Sequence, residues 1–174
     1  MPNNNLSIIK GTVIFVNLIE PKVFLNGDSK YSIRILIDKS DLKSCTKLQQ
    51  QYQNTVATGA IIYRTEAFTN NENLTSPIKE GLQYYGAKYS NYYILDANSR
   101  IQPQVIDKYK KLLPHDCIKS GAQVYVAISF YPYNVNGKCG ISARLHSLMF
   151  VAQGDPIMEI SDAVADFADY NFDE

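Results

Sequence analysis

Near its end the chain carries a run whose side chains alternate in polarity almost without interruption. Val124, Val126, Ile128 and Phe130 alternate with Gln123, Tyr125, Ala127, Ser129 and Tyr131. A period of two sends neighbouring side chains to opposite faces, so this is a strand with one buried and one presented face. Asn134-Val135-Asn136-Gly137 supplies hairpin-turn chemistry, and Gly140 to Val151 returns as the partner strand.

The same pattern recurs earlier. Residues 8–20 are β-branched and aromatic and read as a strand with Gly11 at a bend. After the turn residues Asn26-Gly27-Asp28, Tyr31, Ile33, Ile35 and Ile37 face one way and Lys30, Ser32 and Arg34 the other. A helix is expected to follow, with Ser40 as its cap and Asp41 at its positive end. Leu42, Cys45, Leu48, Tyr52 and Val56 line its apolar side, and Gly59 ends it.

Ile61 to Arg64 reads as a short strand, Phe68 to Pro77 as a mobile polar loop, and Tyr89 to Ala97 as another strand. The loop Asn98 to Pro103 follows, and Pro114 to Gly121 is a connector with room for a helical turn. Five or six mostly antiparallel strands and one main helix make a β-dominated chain, all-β in class. They suit a small barrel, of which the five-stranded OB barrel is the nucleic-acid-binding kind.

The chain has 174 residues, enough for one domain with tails: a flexible start over 1–7, a barrel over 8–154 and an acidic tail over 155–174. Its formal charge of zero is a sum of opposites. All 17 basic residues precede Asp155, whereas seven of the 17 acidic ones lie after Gly154. A basic body points to a polyanionic partner, and an acidic tail to something that competes with that partner. Among the acids of the tail stand Ile157, Met158, Ile160, Val164, Phe167, Tyr170 and Phe172, which a merely solvating extension does not need. Asp162, Asp166, Phe167, Asp169, Phe172, Asp173 and Glu174 are its candidate partner-binding residues.

Enzymatic readings find little support. Gly81, Gly86, Gly137 and Gly140 are isolated and form no phosphate-cradling loop. His115 and His146 stand in no nucleophile signature, and two histidines so far apart suggest no metal. No cofactor is expected. Cys45, Cys117 and Cys139 are odd in number and widely spaced, and read as reduced thiols in a cytoplasmic protein. No window is apolar enough to span a membrane, and the start lacks the order of a signal peptide.

Nucleic-acid binding fits better. Residues 79–93 interleave five tyrosines with Lys79 and Lys88. Aromatic faces stack on unpaired bases while cations track the backbone. Any one tyrosine here could equally be a packing residue, so the argument rests on the cluster and on the charge division. The candidate contacts are Arg34, Arg64, Lys79, Lys88, Tyr89, Tyr92, Arg100, Tyr125, Tyr131 and Lys138.

Several segments, in order, resemble a family of bacteriophage single-stranded-DNA-binding proteins, once a domain-of-unknown-function family and since assigned the OB-fold. They are Gly11 to Asn17 with Glu20-Pro21, Lys30 to Asp41, Pro77 to Gly81, Tyr92 to Arg100, and Pro103 with Val105 to Asp107. Ser120-Gly121, Phe130 to Tyr133, Gly140-Ile141 and Gly154 to Pro156 complete the set. Two positions depart from it: Tyr125 stands where relatives carry a basic residue, and Gln123 where an aromatic is common.

The resemblance implies single-stranded DNA binding with little sequence preference, in phage DNA replication or recombination, in the cytoplasm of the infected bacterium. It also implies a tail, disordered in the free protein, that recruits a polymerase, helicase or primase and competes with DNA. A homodimer stays open. The rival readings are an adaptor working through the tail with no DNA binding, and an enzyme such as a nuclease.

Overall fold

The computed structural model of the chain describes residues 6–70, 73–157 and 163–172. The first strand, β1 (Ser7–Val23), pairs antiparallel with β2 (Ser29–Asp38). The helix α1 (Leu42–Tyr63) and a one-turn helix α2 (Glu66–Thr69) lead to the short strand β3 (Ile78–Glu80) and to α3 (Gly81–Tyr85). Beyond them run β4 (Tyr92–Ser99), the small hairpin of β5 (Gln104–Ile106) and β6 (Leu112–Leu113), and the long hairpin of β7 (Ala122–Val135) and β8 (Lys138–Gln153). A single turn, α4 (Ala163–Asp166), lies in the tail.

Five strands close on themselves. β4 pairs with β2, β2 with β1, β1 with β7 and β7 with β8, all antiparallel. A parallel contact of Asn98 with Arg144 then joins β4 to β8. This closed order is that of the OB barrel. β3 extends β4 at one edge, while β5 and β6 extend β8 at the other.

The alternating residues do what their pattern requires. Val13, Ile33, Ile35, Ile37, Leu95, Val124, Val126 and Leu145 meet inside the barrel, all at or near zero exposure. Each such aliphatic side chain contributes about 1.5–3 kcal/mol by leaving water. The helix α1 spans two cores. Cys45 and Leu48 close the barrel interior, whereas Val56 joins Phe68, Cys139 and Ile141 beneath the β7–β8 hairpin.

Several local expectations are corrected. Asp41, not Ser40, caps α1, its carboxylate accepting from the Ser44 amide. Gly59 does not end the helix. A Cβ there would fall 2.5 Å from the Phe68 ring, so the glycine permits close packing mid-helix. The helix continues through Ile61 and Ile62, where a strand was expected, and ends at Arg64 in the left-handed region. In the expected loop, Phe68 is a core residue, and Thr75 hydrogen-bonds along the backbone to Cys139 and Ile141. Tyr89 lies in a 3-10 turn (Ala87–Tyr89), and β4 begins at Tyr92.

Beyond the barrel, Asp155 to Ile157 stay packed on the body. The Ser120 hydroxyl accepts from the Ile157 amide and donates to its carbonyl, at 2.9 and 3.1 Å. Gly121 makes this approach possible, since a Cβ there would lie 2.1 Å from the Asp155 carbonyl oxygen. Ile157 packs on a cluster formed by Ile14, Leu36, Tyr85 and Ile94 with Tyr89 and Tyr92.

Candidate nucleic-acid interface

β2 and β4 place their outward side chains in register, Arg34 opposite Asp96 and Ser32 opposite Asn98. β1 supplies Phe15 opposite Arg34 and Asn17 opposite Ser32, and the Asn17 amide donates to the Ser32 hydroxyl at 3.2 Å. Phe15 points outward because of a β-bulge between Val13 and Phe15. One extra residue reverses the phase of the strand, so a ring that strict alternation would bury beside Val13 becomes exposed.

Arg34 forms a bidentate pair with Asp96 at 2.6 and 3.0 Å, and Lys79 approaches the same carboxylate at 3.0 Å. Burial pushes the Asp96 carboxyl up, but its bonds to Arg34 and Lys79 outweigh that and hold it below the usual carboxylate range. The bond to Asp96 in turn raises Arg34 beyond its ordinary value, so its charge is fixed. The guanidinium lies 5.2 Å from the Phe15 ring centre and 5.9 Å from that of Tyr84, whose ring also receives the Lys79 ammonium at 5.2 Å. Two exposed aromatic rings thus lie beside one clamped cation.

Across the bridge of Asn98 to Arg144 the surface continues as a cleft of about 420 Å3. Lys30, Asn98, Ser99, Arg100, Ile101, Tyr131 and Arg144 line it. The Arg144 guanidinium lies 5.1 Å from the Tyr131 ring centre. Arg100 has one acidic neighbour, Asp28, at 3.8 Å, and is mostly exposed. Beside Arg144, His146 shares a 2.8 Å hydrogen bond with Ser129, and burial together with the Arg144 charge pulls its imidazole below the ordinary range.

Seven of the ten candidate contacts fall on this outer surface or its margin. Arg34 and Lys79 form the paired end, and Arg100 and Tyr131 the cleft. Tyr89 and Tyr92 are half-buried in an edge-to-face chain with Tyr85, at 6.0 Å per step, and hold α3 on the barrel. Lys88 covers the Tyr89 ring at 5.6 Å.

The other three lie elsewhere. Tyr125 pairs with Met149 and Lys10 and lines a small apolar cavity with Ile8 and Ile106. Arg64 ends α1, and Lys138 stands on the β7–β8 turn. Their sequence neighbours Thr65 and Cys139 touch at 3.7 Å, so these two cations share the far end of that hairpin. In the tail, Phe167 and Phe172 are exposed, as are Asp166 and Asp169. Asp162, Asp173 and Glu174 lie outside the described residues.

Sequence reasoning passed over Phe15, Tyr84 and Arg144. The bulge conceals Phe15, and Tyr84 is one of five tyrosines whose exposure depends on how α3 turns. Arg144 had a signal: it alternates with Ala143 and Leu145, both buried. Among the described residues no cluster of His, Cys, Asp and Glu could hold a metal, and no helix is long and apolar enough to cross a membrane.

No curated protein matches the sequence. Among solved structures, the single-stranded DNA-binding protein from bacteriophage Enc34 in complex with ssDNA superposes with a TM-score of 0.73 at 16% identity, over 90% of this chain and 91% of that one. A C-terminal truncation of the same protein gives 0.70 at 18% identity, over 89% and 90%. The single-stranded DNA-binding protein gp2.5 of bacteriophage T7 gives 0.56 at 16%, over 96% of each chain. At these identities the likeness establishes a shared fold. The sequence itself also matches a family model over residues 6–174, described as Enterobacter phage Enc34, ssDNA-binding protein. The chain belongs to the Enc34 single-stranded-DNA-binding protein family.

Proposed function

We propose that this chain binds single-stranded DNA with little sequence preference and acts without catalysis in phage DNA replication or recombination, in the cytoplasm of the infected bacterium. The observation that carries the reading is the outer surface of β1, β2, β4 and β8. It is one strip that begins with rings about a fixed cation (Phe15, Arg34, Tyr84) and ends in open cations (Lys30, Arg100, Arg144). Stacking accepts any base, and cations reach any backbone, which suits binding without readout. The family and the DNA complex of the Enc34 protein support it.

The tail acts in two ways on this reading. It competes with DNA for the basic body, and it recruits a replication protein such as a polymerase, helicase or primase. Its exposed Val164, Phe167, Tyr170 and Phe172 set among carboxylates suit a partner's groove with a basic rim.

The test is fluorescence anisotropy of labelled oligo-dT over a salt series, with the full chain and with a chain ending at Ile157, which keeps the residues packed on the body. Affinity should fall with a log–log slope of about −0.7 per phosphate contacted, or about −3 for four contacts. The shortened chain should bind more tightly, and the gap should close at high salt. No binding by either form would leave the tail as the working part, the adaptor reading. Competition with oligo-U separates DNA from RNA preference.

A further inference from the structure

We propose that Ile157, at the root of the acidic tail, is a positioning residue for nucleic-acid binding. It acts through an apolar row that holds Phe15, Arg34 and Tyr84 in place. The inference rests on the single-strand reading above.

A barrel strand buries one face and presents the other, yet β1, β2 and β4 bury part of their outer face as well. Leu36 pairs with Ile94 two residues along from the pair of Arg34 with Asp96, on the same face. β1 adds Ile14, which falls within the bulge that turns Phe15 outward. All three aliphatic side chains are buried, although they lie outside the barrel interior. Their cover is Tyr85 of α3, Tyr89, Tyr92 and the half-buried Ile157. Of the described residues in this cluster, Ile157 alone comes from beyond β8.

Ile157 is held on the row by its own backbone. The Ser120 hydroxyl grips both its amide and its carbonyl. The Gly154 amide donates to the Gly121 carbonyl at 3.0 Å, and the Gln153 side-chain amide donates to the Ser120 carbonyl at 2.9 Å. Gly121 in turn donates its amide to the Val13 carbonyl at 2.8 Å, beside the bulge. The latch is therefore tied to β1 where Phe15 is turned out.

The row reaches the groups that face DNA by two routes. The Tyr85 hydroxyl accepts from the Arg34 guanidinium at 3.3 Å, and Tyr85 shares the short helix α3 with Tyr84. Ile14 directly precedes Phe15, so burial of the one fixes where the bulge sets the other. Without Ile157 the row opens to water, and a close-packed cluster transmits such a loss to its neighbours. The binding body then runs to Ile157, three residues past the charge boundary at Gly154. The chain up to Ile157 supports binding, whereas the acidic run beyond it competes with DNA.

The full chain is measured on labelled oligo-dT at low and at high salt. Ile157→Ser should weaken binding about fivefold at both, the lower end of what one stacked base contributes, with an unchanged log–log slope. A loss that persists at high salt is not a change in tail competition, which salt screens. Ile157→Val should restore the affinity. In a Phe15→Ala, Tyr84→Ala background Ile157→Ser should cost almost nothing further, because it acts through those rings. Ser120→Ala removes the latch bonds and leaves every ring in place; it should show the same pattern at about twofold. It carries the test if circular dichroism shows Ile157→Ser to be unfolded. Unchanged or tighter binding by the folded variants overturns the positioning role, tighter binding placing Ile157 within the competing tail. An equal loss with and without the two rings also overturns it, making Ile157 a general prop of the barrel. Failure of wild type to bind oligo-dT would remove the single-strand reading itself.

Discussion

The two ends of the outer surface use cations in opposite ways. At one end Arg34 and Lys79 share Asp96, so much of their charge is spent inside the protein. At the other end Arg100 and Arg144 line a cleft that, among the described residues, has no carboxylate in its lining, and Asp28 stands 3.8 Å from Arg100. A neutralised cation releases few counterions from DNA, whereas an open one releases nearly its full share. The paired end should therefore supply stacking and rigidity, and the open end should supply the salt dependence. Their separation along one surface makes the division testable.

The strongest test removes the rings. Replacing Phe15 and Tyr84 together by Ala should weaken oligo-dT binding by about 2–4 kcal/mol, on the scale of about 1–3 kcal/mol per stacked base. The salt slope should not change. A double variant that lost little affinity, or lost it with a shallower slope, would erase the contrast. Next comes stability. Arg34→Ala strands Asp96 with only Lys79, and Arg34 is only 17% exposed. It should cost about 1–3 kcal/mol in denaturant unfolding, as expected when one partner of a partly buried charged pair is removed. Arg100→Ala should cost under about 0.5 kcal/mol of stability, in line with an exposed pair.

The salt slope sharpens the comparison further. Arg100→Ala and Arg144→Ala should each flatten the log–log slope by about 0.7, the share of one phosphate on a single strand. Lys79→Ala should flatten it less, because its charge already faces Asp96. Equal changes at all three positions would mean that the Asp96 pairs open when DNA binds.

These two ends were not equally legible from the sequence. The alternation of Lys30, Ser32 and Arg34 against Ile33, Ile35 and Ile37 correctly assigns the faces of β2, because a regular strand has only two. It does not disclose that Arg34 meets Asp96, 62 residues away, since that pairing depends on the β2–β4 register. Phe15 was hidden by a bulge, which no local pattern announces. The tyrosines of 79–93 were visible as a cluster but not divided. Gly81 begins α3 so close beneath the Tyr89 and Tyr92 carbonyls that a Cβ would lie 2.3 and 2.7 Å from them. That contact helps to fix α3, which buries Tyr85 and exposes Tyr84. Tyr125 looked equivalent to Tyr131 by alternation, yet the barrel places Tyr125 against Ile8 and Met149, apart from the cleft.

The smallest effect concerns His146, which stands at the open end and whose imidazole is pulled below its ordinary range by burial and by Arg144. Folding thus disfavours its proton, and the unfolded chain binds it more readily. As pH falls through the ordinary imidazole range near 6.5 toward the lowered folded value, this site should remove stability rather than add it. A phosphate laid beside Arg144 reverses the preference, because it stabilises an imidazolium. DNA binding should then take up a fraction of a proton, and affinity should rise about two- to threefold between pH 7 and pH 5.5 at constant salt, a coupling of about 0.5 kcal/mol. His146→Gln, which can still hydrogen-bond Ser129, should flatten that profile and leave affinity at pH 7.5 nearly unchanged. A pH dependence that survives in His146→Gln would move the titrating group elsewhere. One that is absent in wild type would mean that DNA passes the Arg144 side of the cleft without reaching β8 at this row.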